Sequence, residues 1–229
     1  AHKQNHPTVK VLEQLLEIEA VSLIERRIER RIRESKLSER KLLADFDFEF
    51  QTGIDKKQIM GLATLGFVEC KQWLILAGSS GTGKSHIAKT VAHAAIETGY
   101  KVVYREAHTF FEDLFEASEL KRKKKVNKLF AEADLLVIDD LFLRKKMPEQ
   151  AADDLLDIIL DRYSARRSTV ITSNRPLEDW GKLLRDNAAS SAIVDRLLHR
   201  GHLLQFEGRS YRLKEAAIRL AANKRKRSG

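Results

Sequence analysis

The chain has 229 residues, a net charge of +9 and a hydrophobic fraction of 43%. This length suits one domain with a small appendage, and this apolar content excludes wholesale disorder. No apolar stretch approaches the length of a membrane span and no secretory signal is visible, so we expect a cytoplasmic protein with no membrane partner. The single cysteine, Cys70, excludes an internal disulfide framework.

The positive charge is concentrated in two segments. Residues 121–128 contain six basic side chains and no acid, and residues 224–227 add four more. These ten charges exceed the net charge of +9, so the rest of the chain is nearly neutral. Concentrated positive charge on a neutral body favours a polyanionic partner, most often nucleic acid, although solvated charged surface is the alternative.

Residues 1–44 are predicted to form an N-terminal helical region. Between residues 9 and 43 apolar side chains recur at intervals of one or two helical turns, and arginines crowd the second half. The pattern suits a helix that faces nucleic acid, a solvated amphipathic helix or a helix that docks a partner, and the sequence leaves these open. An alternating acidic and aromatic segment, 45–50, then leads into the core.

Residues 45–213 form the predicted core, in which short apolar strands alternate with helices. This rhythm predicts an α/β fold with a mostly parallel sheet and helices on both faces. The stripe formed by Phe110, Phe111, Leu114 and Phe115 is interpreted as core packing rather than as a platform on which bases stack. Residues 214–229 are predicted to be a C-terminal helix with a basic tail. We place strands at 73–77, 101–105, 135–139, 169–173 and 202–206, and helices at 85–98, 108–117, 149–166 and 214–222.

The turn after the first strand has the pattern G-x-x-x-x-G-K-S, which is typical of phosphate-binding loops. Backbone N–H groups of such a loop surround nucleotide phosphates, and the next helix presents its N-terminus to them. Lys84 is expected to neutralise the β- and γ-phosphates, and the Ser85 hydroxyl to ligate Mg²⁺. The predicted nucleotide-binding residues are Gly78, Ser79, Ser80, Gly81, Thr82, Gly83, Lys84 and Ser85.

The third strand ends in two carboxylates, about 55 residues after Lys84. In open α/β sheets, ligands bind at the carboxyl ends of the strands. Asp139 is therefore expected to hold Mg²⁺, directly or through water, and Asp140 to orient or deprotonate the attacking water. The predicted cofactors are ATP and Mg²⁺.

Two more polar positions follow later elements. The fourth strand leads to Asn174, which could contact the γ-phosphate or the attacking water. A turn that starts at this residue is the alternative, because Arg175 and Pro176 follow. Arg196 lies in the segment 193–200, and on its own it would be interpreted as a surface charge.

Together these elements resemble the AAA+ ATPases, and more narrowly the IstB family of transposition-helper ATPases, which is related to the DnaC helicase loader. The resemblance spans about residues 45–214. Its marks are Asp45-Phe46-Asp47-Phe48, Leu62-Ala63-Thr64-Leu65, the loop from Gly78 to Ser85, Ile138-Asp139-Asp140-Leu141, Thr172-Ser173-Asn174-Arg175, Trp180-Gly181, Asp195-Arg196-Leu197-Leu198-His199 and Gly208-Arg209-Ser210-Tyr211-Arg212-Leu213.

The resemblance implies roles that spacing does not show. Asn174 matches the sensor-1 position, and Arg196 matches the box VII arginine, which acts in trans on the ATP of a neighbouring subunit. The resemblance further implies ATP-dependent self-association on duplex DNA, largely without sequence preference, and stimulation of a transposase. The internal basic run falls where related loaders and initiators contact DNA. The DNA-binding candidates are therefore Lys121, Arg122, Lys123, Lys124, Lys125 and Lys128.

Two departures from the family pattern bear on the activity. Asp140 stands where most AAA+ proteins have glutamate, which favours slow or switch-like hydrolysis, stimulated by assembly, DNA or transposase. The helical lid that usually follows the core is missing from the predicted elements, and Arg212 is the candidate replacement for its sensor-2 arginine. We therefore predict a Mg²⁺-dependent ATPase that assists a transposase in target selection. A DnaC-like replicative helicase loader is the main alternative, and a P-loop small-molecule kinase is the third.

Overall fold

The structure is a computed structural model that describes residues 8–143 and 147–227. The side chains of the C-terminal basic run, 224–227, lie outside the described part. The strands are β1 (Trp73–Gly78), β2 (Val102–Glu106), β3 (Leu135–Leu141), β4 (Ser168–Ser173) and β5 (Gly201–Phe206). The helices are α1 (Thr8–Ser35), α2 (Lys56–Ala63), α3 (Gly66–Glu69), α4 (Lys84–Thr98), α5 (Ala107–Glu119), α6 (Lys123–Glu132), α7 (Ala151–Ser164), α8 (Trp180–Leu184), α9 (Asn187–Arg200) and α10 (Tyr211–Arg227).

All five strands join one parallel sheet in the order β2-β3-β4-β1-β5. The inner strands β1, β3 and β4 are buried along nearly their whole length. A parallel sheet that is covered on both faces has no solvated side, so its strands are continuous apolar runs. This is the pattern from which the strands were predicted, and the α/β expectation is confirmed.

Successive side chains of each strand point to opposite faces and enter two separate cores. On one face, Trp73, Ile75 and Ile138 pack with helices α5 to α9. On the other face, Leu74 and Val137 pack with helices α1 to α4. The helices therefore lie on both faces, as the sequence predicts, and the carboxyl ends of the strands remain open at one edge.

The N-terminal helix ends earlier than the sequence predicts. The apolar spacing continues to residue 43, but α1 ends at Ser35, whose hydroxyl donates to the Ile32 carbonyl at 2.7 Å and accepts from the Leu37 N–H at 3.1 Å. Lys36 then adopts a left-handed backbone with φ of 63°. A serine that bonds the local backbone competes with helix continuation, so the periodicity overestimates the helix. Within the described residues no helix combines the length and apolar content of a membrane span.

One residue of the predicted apolar stripe on α5 does not belong to the core. Phe110, Phe111 and Leu114 are buried, as expected, but Phe115 is 59% exposed. It borders an open groove of about 490 Å³ between α5 and the segment after β3, which also includes Leu143. The interpretation of Phe115 as core packing is therefore wrong. The apolar face of α5 continues to Phe115, but the core that covers this face does not reach it.

A buried arginine fixes helix α6 to the sheet. Arg162 on α7 is fully buried, and its guanidinium donates to the carbonyls of Phe130 at 2.5 Å and Ala133 at 2.9 Å, at the C-terminal end of α6. It also donates to the Ser168 carbonyl and, at 2.9 Å, to the Thr169 hydroxyl at the start of β4. Helix C-termini attract cations, so this side chain joins three elements through their backbone acceptors.

We expect Arg162→Ala to lower the free energy of unfolding by about 3 kcal/mol or more, because it leaves buried carbonyls without donors. Urea unfolding followed by circular dichroism measures this change. The matched control is Arg30→Ala, since Arg30 is exposed and has only a loose ion pair with Glu34 at 3.8 Å. The control should stay within about 0.5 kcal/mol of the parent. Equal stability of the two variants would contradict the structural role of Arg162.

Candidate nucleotide-binding site

The phosphate-binding loop connects β1 to α4 in a conformation that requires glycine. Gly81 and Gly83 have φ angles of 82° and 102°, in the region that side chains rarely adopt. A Cβ atom on Gly83 would also overlap the ring of Phe46. Helix α4 begins at Lys84 with no side-chain cap, so its first N–H groups are available to a phosphate.

The lysine of the loop is buried and points along the pocket. Lys84 is 4% exposed, and its Nζ donates to the Ser79 carbonyl at 2.7 Å. Burial lowers the pKa of Lys84, while the negative charge of Asp140 acts in the opposite direction. Ser85, the next residue, lines the same pocket. A buried ammonium group has lost most of its hydration, so an incoming phosphate would stabilise its charge.

The first carboxylate of β3 is held by the two neighbouring strands. Asp139 is 2% exposed and accepts a hydrogen bond from the Tyr104 hydroxyl of β2 and one at 2.5 Å from the Thr172 hydroxyl of β4. Burial and the charge of Asp139 raise the pKa of Tyr104, which keeps this phenol a donor. The sequence analysis missed both hydroxyl partners, because only strand register brings them to Asp139.

The second carboxylate is directed into the pocket by an irregularity in β3. The pairing of β3 with β4 shifts register between Ile138 and Leu141, and Asp140 has a φ of 56°. Its N–H donates to the Thr172 hydroxyl at 2.8 Å, which anchors the bulge. Burial, and after it the charge of Asp139, raises the pKa of Asp140. Bulges of this kind re-aim side chains next to active sites.

These groups open onto one pocket of about 400 Å³ at the carboxyl edge of the sheet. It brings together the predicted residues Gly81, Thr82, Gly83, Lys84, Ser85, Asp139 and Asp140. Gly78, Ser79 and Ser80 form the near end of the loop and are not among the lining residues. Residues that the sequence analysis did not assign also line the pocket, including Lys41, Phe46, His86 and Tyr211.

The oxygen groups of the pocket suit Mg²⁺. This ion takes one or two carboxylates together with substrate phosphates rather than a cage made of protein side chains. Ser85 and Asp139, with Asp140 beside them, supply such a partial set. In keeping with this, the described residues contain no cluster of three or more His, Cys, Asp or Glu side chains that could hold a metal alone.

Two distant segments enclose the loop from either side. The backbone N–H of Tyr211 donates to the Gly81 carbonyl at 2.9 Å, and Lys214 forms an ion pair with Asp47 at 2.8 Å. Gln51 adds a hydrogen bond at 2.7 Å to the Arg209 carbonyl. The start of α10 is thereby fixed at the phosphate-binding loop. These segments contain or adjoin two of the sequence marks, 45–48 and 208–213, which are far apart in the sequence.

Arg212 lies in the pocket as a result of this enclosure. It is among the lining residues, and its positive charge contributes to the lowered pKa of Lys84. The sequence analysis named it as the replacement for a sensor-2 arginine, and the structure places a second cation where nucleotide phosphates are expected.

Asn174 and Arg196 do not line the pocket of their own chain. Asn174 follows β4, and its buried Oδ1 has no hydrogen-bond partner in the described part of the structure. Arg196 lies on α9, where one guanidinium nitrogen donates to the Ala192 carbonyl at 2.8 Å and the group lies 5.9 Å from the Tyr163 ring centre.

The internal basic run forms the turn of the α5–α6 hairpin and the first half of α6. Lys123 is bound within the fold, because its Nζ pairs at 2.8 Å with Asp154, a buried residue of α7. Lys128 lies 3.6 Å from Glu132 on the exposed surface of α6. Lys121, Arg122, Lys124 and Lys125 are exposed. The six DNA-binding candidates thus separate into one structural lysine and five accessible cations.

Comparison with known families gives a match over nearly the whole chain. The family model of IstB-like ATP-binding proteins matches residues 1–218. An ATP-binding protein of insertion sequence IS5376 from Geobacillus stearothermophilus is 34% identical over 204 residues, which are 89% of this chain and 80% of that protein. The corresponding protein of insertion sequence IS21 from Pseudomonas aeruginosa is 35% identical, over 83% of this chain and 71% of its own length.

Solved structures with the same fold include replication proteins. The crystal structure of DnaI gives a TM-score of 0.62 at 17% identity, over 73% of this chain and 92% of that one. AMPPCP-bound DnaA from Aquifex aeolicus gives 0.60 at 20% identity, over 81% of this chain and 56% of that one. The DnaC helicase loader gives 0.57 at 21% identity, with coverages of 66% and 87%. The match of the family model to residues 1–218 and the two insertion-sequence relatives show that the chain belongs to the IstB-like ATP-binding proteins, and its fold is shared with DnaI, DnaA and DnaC.

Proposed function

We propose that this protein is a Mg²⁺-dependent ATPase that assembles with ATP on duplex DNA and assists a transposase in selecting its target. One observation carries the proposal. Lys84, Ser85, Asp139 and Asp140 converge on one nucleotide pocket, whereas Arg196 lies outside it. A chain whose arginine cannot reach its own nucleotide is suited to complete the site of a neighbour.

Each group has a role in hydrolysis that follows from its position. Bound Mg²⁺ supplies charge neutralisation on the phosphate oxygens, and Ser85 and Asp139 are the residues that would hold it. Lys84 neutralises the β- and γ-phosphates, Arg212 adds positive charge on the same chain, and Asp140 orients the attacking water and accepts its proton. Asn174 and the Arg196 of a neighbouring chain would act on the γ-phosphate, where charge develops.

We expect Arg196→Ala to bind ATP normally but to lose ATP-dependent assembly, and to hydrolyse ATP about 10³-fold more slowly. Sedimentation with a long DNA duplex, with and without ATP and Mg²⁺, measures the assembly. Lys182→Ala is the control, because Lys182 is an exposed cation on the neighbouring helix α8. A parent protein that remains a monomer under all conditions would contradict self-association and favour the small-molecule kinase alternative.

The raised pKa of Asp140 predicts how hydrolysis depends on pH. The carboxylate must be ionised to accept a proton, so activity falls when acidification protonates it. Since burial and Asp139 raise this pKa, the decline should begin at a higher pH than the ordinary aspartate value of about 3.9 would give. Steady-state rates across about pH 4 to 8 test this, with folding monitored at each pH.

Asp140→Asn should lower the rate about 10²- to 10⁴-fold and remove the acid decline from the residual activity. Asp153→Asn, at an exposed aspartate of α7, should leave both the rate and the decline unchanged. An unaltered acid decline in the Asp140 variant would assign the titration to another group.

The α5–α6 hairpin is the part of the surface best suited to DNA. Helix α6 begins with three lysines and has no side-chain cap, although positive charge at a helix N-terminus is unfavourable. A DNA phosphate at this end would offset the repulsion between the lysines and the positive end of the helix dipole. It would also accept hydrogen bonds from the uncapped N–H groups. Among the three lysines, Lys124 and Lys125 are exposed, whereas Lys123 is paired with Asp154.

We expect Lys124→Ala/Lys125→Ala to weaken binding to any duplex sequence and to reduce the slope of log affinity against log salt by about 1.8, for two lost phosphate contacts. Fluorescence anisotropy at several salt concentrations measures both quantities. Lys57→Ala/Lys101→Ala removes two exposed lysines from other surfaces and should leave the slope unchanged. Identical slopes in the two double variants would exclude the hairpin as the contact.

The choice of a transposase as partner is supported by the relatives, which are named as ATP-binding proteins of insertion sequences. The fold shared with the DnaC helicase loader keeps a replicative helicase as the second candidate. Co-purification of the tagged protein with a transposase or with a hexameric helicase separates the two functions.

A further inference from the structure

Two helices expose apolar side chains at the two ends of the sequence. On α10, Leu213, Ile218 and Leu220 are 59–72% exposed. On the first half of α1, eight large apolar residues are 42–68% exposed. They are Val11, Leu12, Leu15, Leu16, Ile18, Val21, Leu23 and Ile24. Exposed apolar surface of this extent and continuity is characteristic of an interaction site.

The apolar side of α1 points away from the body of its own chain. The second half of α1 packs on the core through Ile28 and Ile32. Six of the eight exposed residues lie on a side of the helix centred near Leu15. At 3.6 residues per turn, this side is roughly 140° around the axis from the side that packs on the core. No other segment of the described residues covers the first side, which is therefore available to a partner.

Charge distinguishes between the possible occupants of this side. Residues 8–25 of α1 contain four glutamates and one lysine, on a protein whose net charge is +9. The acidic segment disfavours nucleic acid and another copy of itself, because like charges would meet. It suits a cationic amphipathic helix.

Helix α10 has the complementary properties. Its sequence contains seven basic residues and one glutamate. Arg212 and Lys214 are engaged at the chain's own nucleotide site, so Arg219 and the basic run 224–227 supply the remaining positive charge. Leu213, Ala217 and Leu220 follow the i, i+4, i+7 spacing of one helix face. Arg219 lies beside this face. Neither helix covers the other within one chain, because the apolar residues of both are exposed.

We propose that α10 of one copy packs against the first half of α1 of the next copy. The two surfaces differ, so the contact is head-to-tail and can add further copies. The inference rests on the self-association proposed above and extends it with a second contact. Arg212 in the first turn of α10 lies in the nucleotide pocket, and Lys214 pairs with Asp47, so the helix that reaches the neighbour is tied to the nucleotide site.

Cysteine cross-linking between two different variants tests this pairing. Cys70 is replaced by serine, since it is exposed and is the only cysteine in the sequence. One protein then carries Leu16→Cys and the other Leu220→Cys, at positions 68% and 66% exposed, where folding is not at risk. The two are mixed with ATP, Mg²⁺ and DNA and treated with a short bismaleimide.

We expect a mixed dimer between the Leu16→Cys and Leu220→Cys proteins, at a yield at least about tenfold above that with Leu120→Cys, an equally exposed control position on another surface. Each variant alone should give little product. A product from the Leu16→Cys protein alone would show that α1 pairs with itself and would overturn the proposal.

Sedimentation of the same samples tests the α1–α10 contact separately from ATP-dependent self-association. Assembly without the mixed cross-link would reject the α1–α10 contact and leave ATP-dependent self-association standing. Absence of both assembly and cross-link would reject both.

As a second readout, Leu220→Glu should lower the assembled fraction at least about tenfold at equal concentration while ATP binding stays unchanged, because it places a carboxylate against an acidic, apolar surface. Full assembly of Leu220→Glu would contradict the contact.

Discussion

The hydrogen bonds that hold Asp139 determine the geometry of the whole nucleotide site. A buried carboxylate is costly unless donors surround it, and here the donors come from the strands on either side, Tyr104 on β2 and Thr172 on β4. The Thr172 oxygen also accepts the N–H of Asp140, and this bond accompanies the bulge that separates the two acids. One threonine therefore buries the first carboxylate and directs the second toward the pocket. Because β4 also pairs with β1, the strand that leads into the phosphate-binding loop is held in register with the strand that carries Thr172.

The phosphate-binding loop is enclosed by two segments from opposite ends of the core sequence. Phe46 packs where a side chain on Gly83 would lie, and Tyr211 bonds the Gly81 carbonyl. The ion pair between Asp47 and Lys214 closes the arrangement, and Lys214 also lies 4.4 Å from the Phe50 ring centre. The acidic and aromatic alternation of 45–50 is thereby explained: it supplies both the anion and the rings that receive the start of α10. Arg212 enters the pocket because of this enclosure, which accounts for a lysine and an arginine in the same small volume.

The parts of the structure that depend on local sequence were predictable, and those that depend on register or on tertiary contact were not. Continuous apolar runs located the strands to within one or two residues, and the loop motif placed Lys84 and Ser85. Nothing near Tyr104 in the sequence indicates that strand pairing will bring its hydroxyl to Asp139. Lys123 looks identical to its neighbours in the basic run, and only the buried Asp154 of α7 distinguishes it. The end of α1 at Ser35 and the exposure of Phe115 were mispredicted. Periodicity shows which face of a helix is apolar, but it does not show where the helix ends or how far the core covers that face.

In the proposed assembly, two chains would sense the same ATP through different arginines. Arg212 belongs to the chain that holds the nucleotide, and it is connected to α10. Arg196 lies on α9, outside its own pocket, and in the proposed assembly it would reach the pocket of a neighbour. Asp140 is one methylene shorter than glutamate, so its carboxylate reaches less far toward the attacking water, although burial and the charge of Asp139 raise its pKa and so increase its basicity. A site whose carboxylate is held farther from the water gains more from an added positive charge on the γ-phosphate, because this charge stabilises the transition state directly. Hydrolysis that depends on the neighbour's arginine would allow ATP to persist in single chains and to be used after assembly, which is the behaviour a target-marking ATPase requires.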